Sequence, residues 1–534
     1  MTSSSTDSRD AKEGSAAHIS DGHLAQRILR NTLSSVGLQV TIILLQIVLV
    51  PFVLYHVGPE AYGLWALATL LVGMAAIADF GLSNAIIKYT ASLRAKEDFR
   101  ELSNMLGLAT GLYSLLFFLY SLVIVVLARR LTVILRIPAA LAEVGFHLFI
   151  AAGGLVLVTA LYVLVRSVLI GLQRYDLANL VTLVGSLLNL ILTVAFLLQG
   201  HGLYGLWYAA MLSNLCQGSL GLLLVRKQCP QLHWSFLGWN LSRLRSLLTF
   251  GFHLQVISLG TFLNFQLPKV FLSLFATLAD VGYYQIAYKV LAGGRELSIV
   301  LYSSLTPVAA HWWAQDKREK IQRLYLRGTK YLSAFLFPFW TFLVVFARPI
   351  MQAWLGPGYD AAAHALQVVA AGNLVLLFSG VASSITQGSA HPRFLSYAIG
   401  AGFLLNVSLV LGGWGRQYGF DGVLAALSVS LAFSGFLFLA GFHRAFQFSL
   451  PELLRTISLR TVLATLLSLG VGYWIFHVSG LSRFGLLPAL LATCAAFALL
   501  YAATLHLTGF IDKEDLQILG ASRWTRLAVS WFRA

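Results

Sequence analysis

The sequence predicts an all-α polytopic membrane protein of about fourteen transmembrane helices, arranged as two pseudo-symmetric six-helix lobes plus two C-terminal helices. Three observations carry that expectation. Only 11% of the 534 residues are charged and 58% are hydrophobic, against roughly 25% charged in an ordinary soluble domain. Apolar stretches of about 20 residues, the length a helix needs to cross a bilayer, recur along the whole chain. The basic residues also alternate between loops as membrane orientation requires.

The first 20 residues are polar and Ser-rich. No cleavable signal follows them, because the first apolar run, 33–57, is too long for one. Helices are expected at 33–57, 61–86, 104–128, 144–166, 179–199, 205–225, 246–274, 282–308, 328–346, 364–383, 394–412, 422–442, 459–478 and 485–507. The chain then divides into a polar tail (1–30), a first lobe (31–228), a linker (229–245), a second lobe (246–442), a final helix pair (443–507) and a second tail (508–534). An even number of spans puts both termini on one side. The two tails and every second loop hold 28 of the 37 Lys and Arg residues. The opposite loops hold only Arg129, Arg130, Arg136, Arg348, Arg416 and Arg483. Both termini are therefore expected in the cytoplasm, and the net charge of +16 is an orientation signal, not a nucleic-acid footprint. Cys216, Cys229 and Cys494 have neither disulfide nor metal-ligand spacing. The loops are short and hide no soluble domain.

The lobes are legible as a repeat. "GSLLNLILTVAFLLQGHGLYG" from Gly185 is answered by "GFLLNVSLVLGGWGRQYGFDG" from Gly402, with Gly185, Leu188, Asn189 and Gly205 recurring 217 residues later. "SVLIGLQRY" at 167 and "SITQGSAHP" at 384 keep that offset, and "EAYGLW" (60–65) answers "ADVGYYQ" (279–285) at 219. Two parallel repeats imply an axis along the membrane normal, with a substrate path between the lobes.

Polar groups within the spans are the candidate site, since charge at membrane depth costs about 2.5–3.5 kcal/mol and usually faces a cavity or a partner. Arg295 lies near the middle of the eighth helix, Lys289 in its outer third, and Lys269 near the outer end of the seventh, where it can also snorkel. Shifting Asp79 by the repeat offset lands on Ser298, one turn from Arg295, so Asp79 and Arg295 are expected to face one inter-lobe space. Gln285, Lys289 and Glu296 form a second stripe on the opposite face of that helix, which reaches the same space only if Gly293-Gly294 bends it. An internal ion-pair network is the alternative reading for these groups. In the second helix Asp79 and Ser83 share one face, while Asn84 and Lys88 share another. Lys88 sits beside Arg94, Lys96 and Arg100 as an anchor to anionic headgroups. Asn189 and Asn406 are expected to hydrogen-bond neighbouring helices. No phosphate loop, HExxH or ligand-spaced Cys/His cluster occurs.

"GPEAYGLWALATLLVGMAAIADFGLSNAIIKYTA", "ADVGYYQIAYKVL" with "LTPVAA", and "GFLLNVSLVL" resemble the Wzx-type polysaccharide flippases, exporters of lipid-linked repeat units within the MATE-like superfamily. Lipid II flippase relatives carry two extra helices, as is expected of this chain. The resemblance implies movement of an undecaprenyl-pyrophosphate-linked oligosaccharide across the bacterial inner membrane by alternating access, for lipopolysaccharide or exopolysaccharide assembly. It implies no catalysis, no metal and no cofactor. The driving force is left open, a proton or sodium gradient being the expected source, with Asp79 and Glu296 as candidate coupling or ion-pair groups. Arg295, Lys289, Lys269, Asp79, Asn84 and Gln285 are then the candidate cavity residues, Arg295 first because a guanidinium reads phosphate bidentately. Membrane lipids and a polysaccharide polymerase or export machinery are the implied partners. Two other readings are an ion-coupled small-molecule antiporter of the same fold, and a polymerase or ligase enzyme of the same pathway. The first would favour acidic cavities and the second a long external loop, and the sequence offers neither.

Overall fold

Helix is what an apolar chain can form in a bilayer, because each backbone N–H and C=O must find its partner within the protein. The computed structural model describes residues 7–232, 259–389, 393–449, 459–478 and 485–510, with side chains from residue 37 onward. No strand occurs among the described residues. The helices are α1 (Asp7–Ala78), α2 (Leu82–Ala95), α3 (Phe99–Ile134), α4 (Ala139–Gly171), α5 (Tyr175–Leu198) and α6 (Gly202–Gln228). After them come α7 (259–275), α8 (Leu278–Ser303), α9 (Thr306–Ala314), α10 (Arg318–Val345), α11 (Ala347–Leu355), α12 (Asp360–Phe378) and α13 (Gly380–Gly388). The last are α14 (Arg393–Leu409), α15 (Gly415–Phe446), α16 (Leu459–Val478) and α17 (Leu486–Leu507). The expected stretch 246–258 lies outside the described residues.

Nine helical segments among the described residues are long and apolar enough to cross a membrane. Two of them, Gly37–Ile77 with 41 residues and Arg393–Phe446 with 54, run to roughly 60 and 80 Å at 1.5 Å per residue, enough for two crossings each. The first bends at Gly58 (φ 76°), a conformation glycine adopts without strain. The second passes a π-helical turn at Val410–Trp414, where Gly413 has φ 135°.

Three expected spans are interrupted. The helix expected over 61–86 stops at Ala78, because Phe80 (φ 46°) and Gly81 (φ 76°) turn the chain before α2. The span expected over 282–308 divides into α8 and α9, since Pro307 sits in the first turn of α9 and its ring cannot follow an unbroken helix. The span over 364–383 divides at Ser379 into α12 and α13. Each run is apolar on both sides of its break, so composition alone does not mark it.

The described residues form two compact units. One takes the chain to Gly58, Ala68–Val133, and Ala139 through α6; its core gathers Leu106, Ala109, Tyr113, Val156 and Val168. The other takes Pro59–Leu67, Ile134–Pro138 and everything described from residue 259 onward. Helix α1 therefore contributes to both.

The repeated glycines have a packing reason in each unit. A Cβ at Gly185 would stand 1.8 Å from the Gln217 side chain on α6, and one at Gly402 would stand 2.8 Å from Ser434 on α15. The repeated asparagines diverge. Asn189 donates to Ser213 Oγ at 3.2 Å, the expected interhelical bond. Asn406, fully buried, leaves both polar atoms without a partner among the described residues.

Candidate functional site

The second unit builds its polar site on the α7–α8 hairpin. Thr277 caps α8 reciprocally with Asp280, which sets the turn between the two helices. Below the cap the facing side chains alternate aromatic and cationic. Tyr284 donates its hydroxyl to the Phe265 carbonyl at 2.7 Å. Lys269, 2% exposed, lies 5.3 Å from the centre of the Tyr288 ring. One further step along, the Arg295 guanidinium lies 3.9 Å from the centre of the Phe265 ring, a cation–π contact. Lys289 lies within electrostatic reach of Lys269. Among the described residues none of the three cations has an ion pair within 4.0 Å. α8 runs unbroken through Gly293-Gly294, and Gly294 packs tightly against Phe339 and Trp340. Gln285 is buried with Oε1 unpartnered among the described residues, while Glu296 is exposed.

Arg295 opens into a cavity of about 230 Å³ bounded by α7, α8, α12, α13, α14 and α15. Its lining includes Asn264, Tyr302, Ser379, Ser383, Ser384 and Gln387. Two helix breaks shape it. Ser379 sits between α12 and α13, and the carbonyl of Tyr302, at the end of α8, accepts the Ser384 hydroxyl at 2.7 Å. Close approach is enforced at Gly380, where a Cβ would stand 2.4 Å from the Tyr302 ring. The Arg295 Nε and the Asn264 Oδ1 are buried with no partner among the described residues. Discontinuous helices with polar groups at their ends are how membrane transporters commonly build a binding site.

In the first unit Asp79 sits at the α1–α2 break, not within a continuous helix. Its Oδ1 accepts from Ser83 N at 3.2 Å, from Ser83 Oγ at 2.9 Å and from the Tyr113 hydroxyl. The shared Asp79–Ser83 face expected from the sequence is thus a cap: the carboxylate meets orphan N–H groups at the start of α2, where the helix dipole favours negative charge. Tyr113, on α3, carries no sign in the sequence that it meets Asp79. It also lines a mostly apolar cavity of about 450 Å³ between α3 and α4. Asn84 is half-buried on α2, and Lys88 is exposed with its ammonium 5.5 Å from the Tyr89 ring centre. Asp79→Ala removes the cap and leaves the Ser83 and Tyr113 hydroxyls only each other, at 2.8 Å, so it is expected to lower stability by about 1–3 kcal/mol, read as the unfolding midpoint in detergent. Tyr113→Phe, which loses the hydroxyl's bonds to Asp79 and Ser83, should cost about 1–3 kcal/mol. Wild-type melting of both variants would contradict the cap.

The described residues form an all-helical, multi-pass fold with a cation in a hydroxyl-lined cavity, an architecture that suits a membrane transporter. The model of the family described as "Polysaccharide biosynthesis protein" matches residues 28–312, just over half of the chain, and the chain belongs to that family. A second model, "MatE", matches residues 261–411. The "Probable flippase AglR" of Haloferax volcanii is 22% identical over 431 residues, covering 79% of this chain and 84% of that one. The "Probable low-salt glycan biosynthesis flippase Agl15" of the same organism is 24% identical over 213 residues, covering 37% and 44%. The fold matches that of the lipid II flippase MurJ in an inward closed conformation, with TM-score 0.67 at 14% identity over 90% of this chain and 99% of that one. It also matches an inward-facing multidrug resistance MATE transporter, with TM-score 0.65 at 16% identity over 78% and 98%.

Proposed function

We propose that this protein is a flippase that carries an oligosaccharide linked to undecaprenyl pyrophosphate from the inner to the outer leaflet of a bacterial inner membrane, by alternating access, for surface polysaccharide assembly. It is a transporter and not an enzyme. The observation that carries the reading is Arg295, a cation whose Nε is buried and unpartnered among the described residues, at the wall of a cavity rich in hydroxyl groups. An unpaired guanidinium in a low-dielectric site is costly unless a ligand supplies the anion. A pyrophosphate supplies it, and the attached sugars suit the hydroxyl lining. The family and the flippases among its relatives support the same class of substrate. The bias of basic residues supports cytoplasmic termini. A cation exporter of the same fold would call for carboxylates where this cavity presents Arg295.

The driving force belongs to the same proposal: a proton or sodium gradient, because the sequence carries no phosphate-binding loop. A polysaccharide polymerase or export machinery is the proposed next partner. The test is a deletion strain. Lipid-linked repeat units should accumulate on the cytoplasmic leaflet while surface polysaccharide is lost, both restored by the wild-type gene. Accumulation of single unpolymerised units on the outer surface would point to a polymerase instead, and drug sensitivity with intact polysaccharide would point to an antiporter.

A further inference from the structure

The first half of α10 carries a cationic stripe that the transport site does not use. From the N-cap onward, Lys317, Lys320, Arg323, Arg327 and Lys330 follow at steps of three and four residues, so they share one helix face. The opposite face, with Ile321, Tyr325, Leu332 and Leu336, is buried. Glu319 is the only acidic residue between Lys317 and Lys330. Asp316, in the preceding turn, engages Arg318 at 3.6 Å, which lies off the stripe. Lys317, Lys320 and Arg323 are exposed and make no ion pair within 4.0 Å among the described residues. Aromatic rings flank both ends of the stripe. Lys320 Nζ lies 6.0 Å from the centre of the Trp312 ring on α9, and Lys330 Nζ lies 4.9 Å from that of Phe510.

Two features point this stripe at a membrane surface. The four-residue steps that begin at Arg323 and Arg327 continue to Tyr331 and Phe335, 41% and 40% exposed, so the cations stand in line with a lipid-facing stretch of the same helix. Depth agrees. Counting about 20 residues back from Val345, the end of α10, the hydrocarbon crossing starts near Leu326. Arg323 and Lys320 then stand about 4.5 and 9 Å beyond it at 1.5 Å per residue, within a Debye length of about 8–10 Å. The bias of basic residues supports placing this end of α10 at the inner leaflet, whose surface is anionic. The same turn also meets the elements around Arg295. A Cβ at Gly328 would stand 3.0 Å from Val381 on α13 and 3.3 Å from Leu305 at the α8–α9 break.

We propose that the α9–α10 elbow binds an anionic phospholipid of the inner leaflet and that its occupancy speeds the transport cycle. The lipid phosphate lies at Lys317, Lys320 and Arg323, and the acyl chains run along Tyr331 and Phe335. The ligand is a resident membrane lipid, distinct from the transported one, and it sits on the lipid-facing side of α10 outside the Arg295 cavity. The contact of Gly328 with α13 and the α8–α9 break is the route by which it acts on that cavity.

The test uses the full chain in neutral detergent, with phosphatidylglycerol and phosphatidylcholine of equal chain length as probes and bound lipids counted by native mass spectrometry. Three surface cations should give phosphatidylglycerol an advantage of at least about tenfold. In the triple variant Lys317→Gln, Lys320→Gln, Arg323→Gln that advantage should be lost, whereas Lys317→Arg with Lys320→Arg should keep it. Removing three exposed cations elsewhere, by Arg100→Gln, Arg226→Gln and Lys227→Gln, should leave it intact. In proteoliposomes, adding phosphatidylglycerol to phosphatidylcholine should speed flipping of a fluorescent lipid-linked sugar by about fivefold or more in the wild type, and not in the triple glutamine variant at the elbow. Equal binding of the two lipids by the wild type, an undiminished advantage in that variant, or the same loss in the distant one overturns the site. Wild-type flipping that ignores phosphatidylglycerol overturns its effect on the cycle. An elbow variant that keeps the lipid advantage yet fails to restore polysaccharide in the deletion strain assigns the stripe to an acidic protein partner instead. Lipid counting needs no transported substrate, so failure of the flippase reading shows separately, as absent flipping in vesicles of either composition.

Discussion

Arg295→Ala is expected to abolish transport while leaving the protein folded and inserted at wild-type abundance. Among the described residues it carries the only cationic group lining the cavity. Two charge-assisted bonds to a phosphate, at about 1.5–3 kcal/mol each, imply a loss of at least about a hundredfold in affinity for a pyrophosphate lipid, at 1.4 kcal/mol per tenfold. Stability should move the other way. The wild-type guanidinium is held by a ring contact of 3.9 Å with Phe265 and by no ion pair among the described residues. Its removal relieves a desolvated charge, so the melting point should hold or rise. Arg295→Lys should recover little, since an ammonium neither reads phosphate with two parallel bonds nor stacks as a plane on Phe265. The measurements are flipping of a fluorescent lipid-linked sugar in proteoliposomes and unfolding in detergent. Wild-type flipping by Arg295→Ala would remove the site, and full rescue by lysine would reduce its role to bare charge.

The sequence announced Arg295 because a single charge inside an apolar run is conspicuous in composition. It announced the class of fold for the same reason, since hydrophobic length and loop charge are additive properties of a stretch and need no partner to be read. The breaks at Phe80-Gly81 and Ser379 are not legible in that way, because they lie in backbone dihedrals, and at the first Asp79 also depends on Tyr113, thirty-four residues away. The break at Ser304-Leu305 does carry a sign in the sequence, Pro307. Asp79 and Ser83 share a face in an unbroken helical reading of the sequence, where the structure has a carboxylate capping a new helix. The serines of "SITQGSAHP" were in plain view and served only as repeat markers. Their density of hydroxyl and amide groups within a span was the signal that could have found the cavity. Asn406 shows the limit of repeat logic. Its counterpart Asn189 finds Ser213, whereas Asn406 itself finds no protein partner among the described residues.

A methyl group at Gly63 or at Gly282 is expected to cost as much transport as any change outside the cavity. A Cβ at Gly63 would stand 2.0 Å from the Leu278 carbonyl oxygen, and a Cβ at Gly282 would stand 2.1 Å from the Pro59 carbonyl oxygen. Both obstacles are backbone, so no rotamer change relieves them, and the helices must separate. The two glycines are also counterparts in the repeat, 219 residues apart. The 59–67 segment of α1 and the first turn of α8 thus cross glycine on glycine, each seated on the backbone of the other. A methyl there introduces overpacking of typically 1–3 kcal/mol. An arrangement that requires this crossing loses population by the corresponding factor, from about fivefold to more than a hundredfold. Gly63→Ala and Gly282→Ala should each reach the membrane and each slow flipping by at least about fivefold. Because both break one crossing, the double variant should be no slower than the slower single one, against the additivity expected of independent sites. Wild-type flipping by both single variants would mean that the close approach of Gly63 and Gly282 plays no part in the transport cycle, and a double variant whose loss equals the product of the two would mean that the glycines do not act through one crossing.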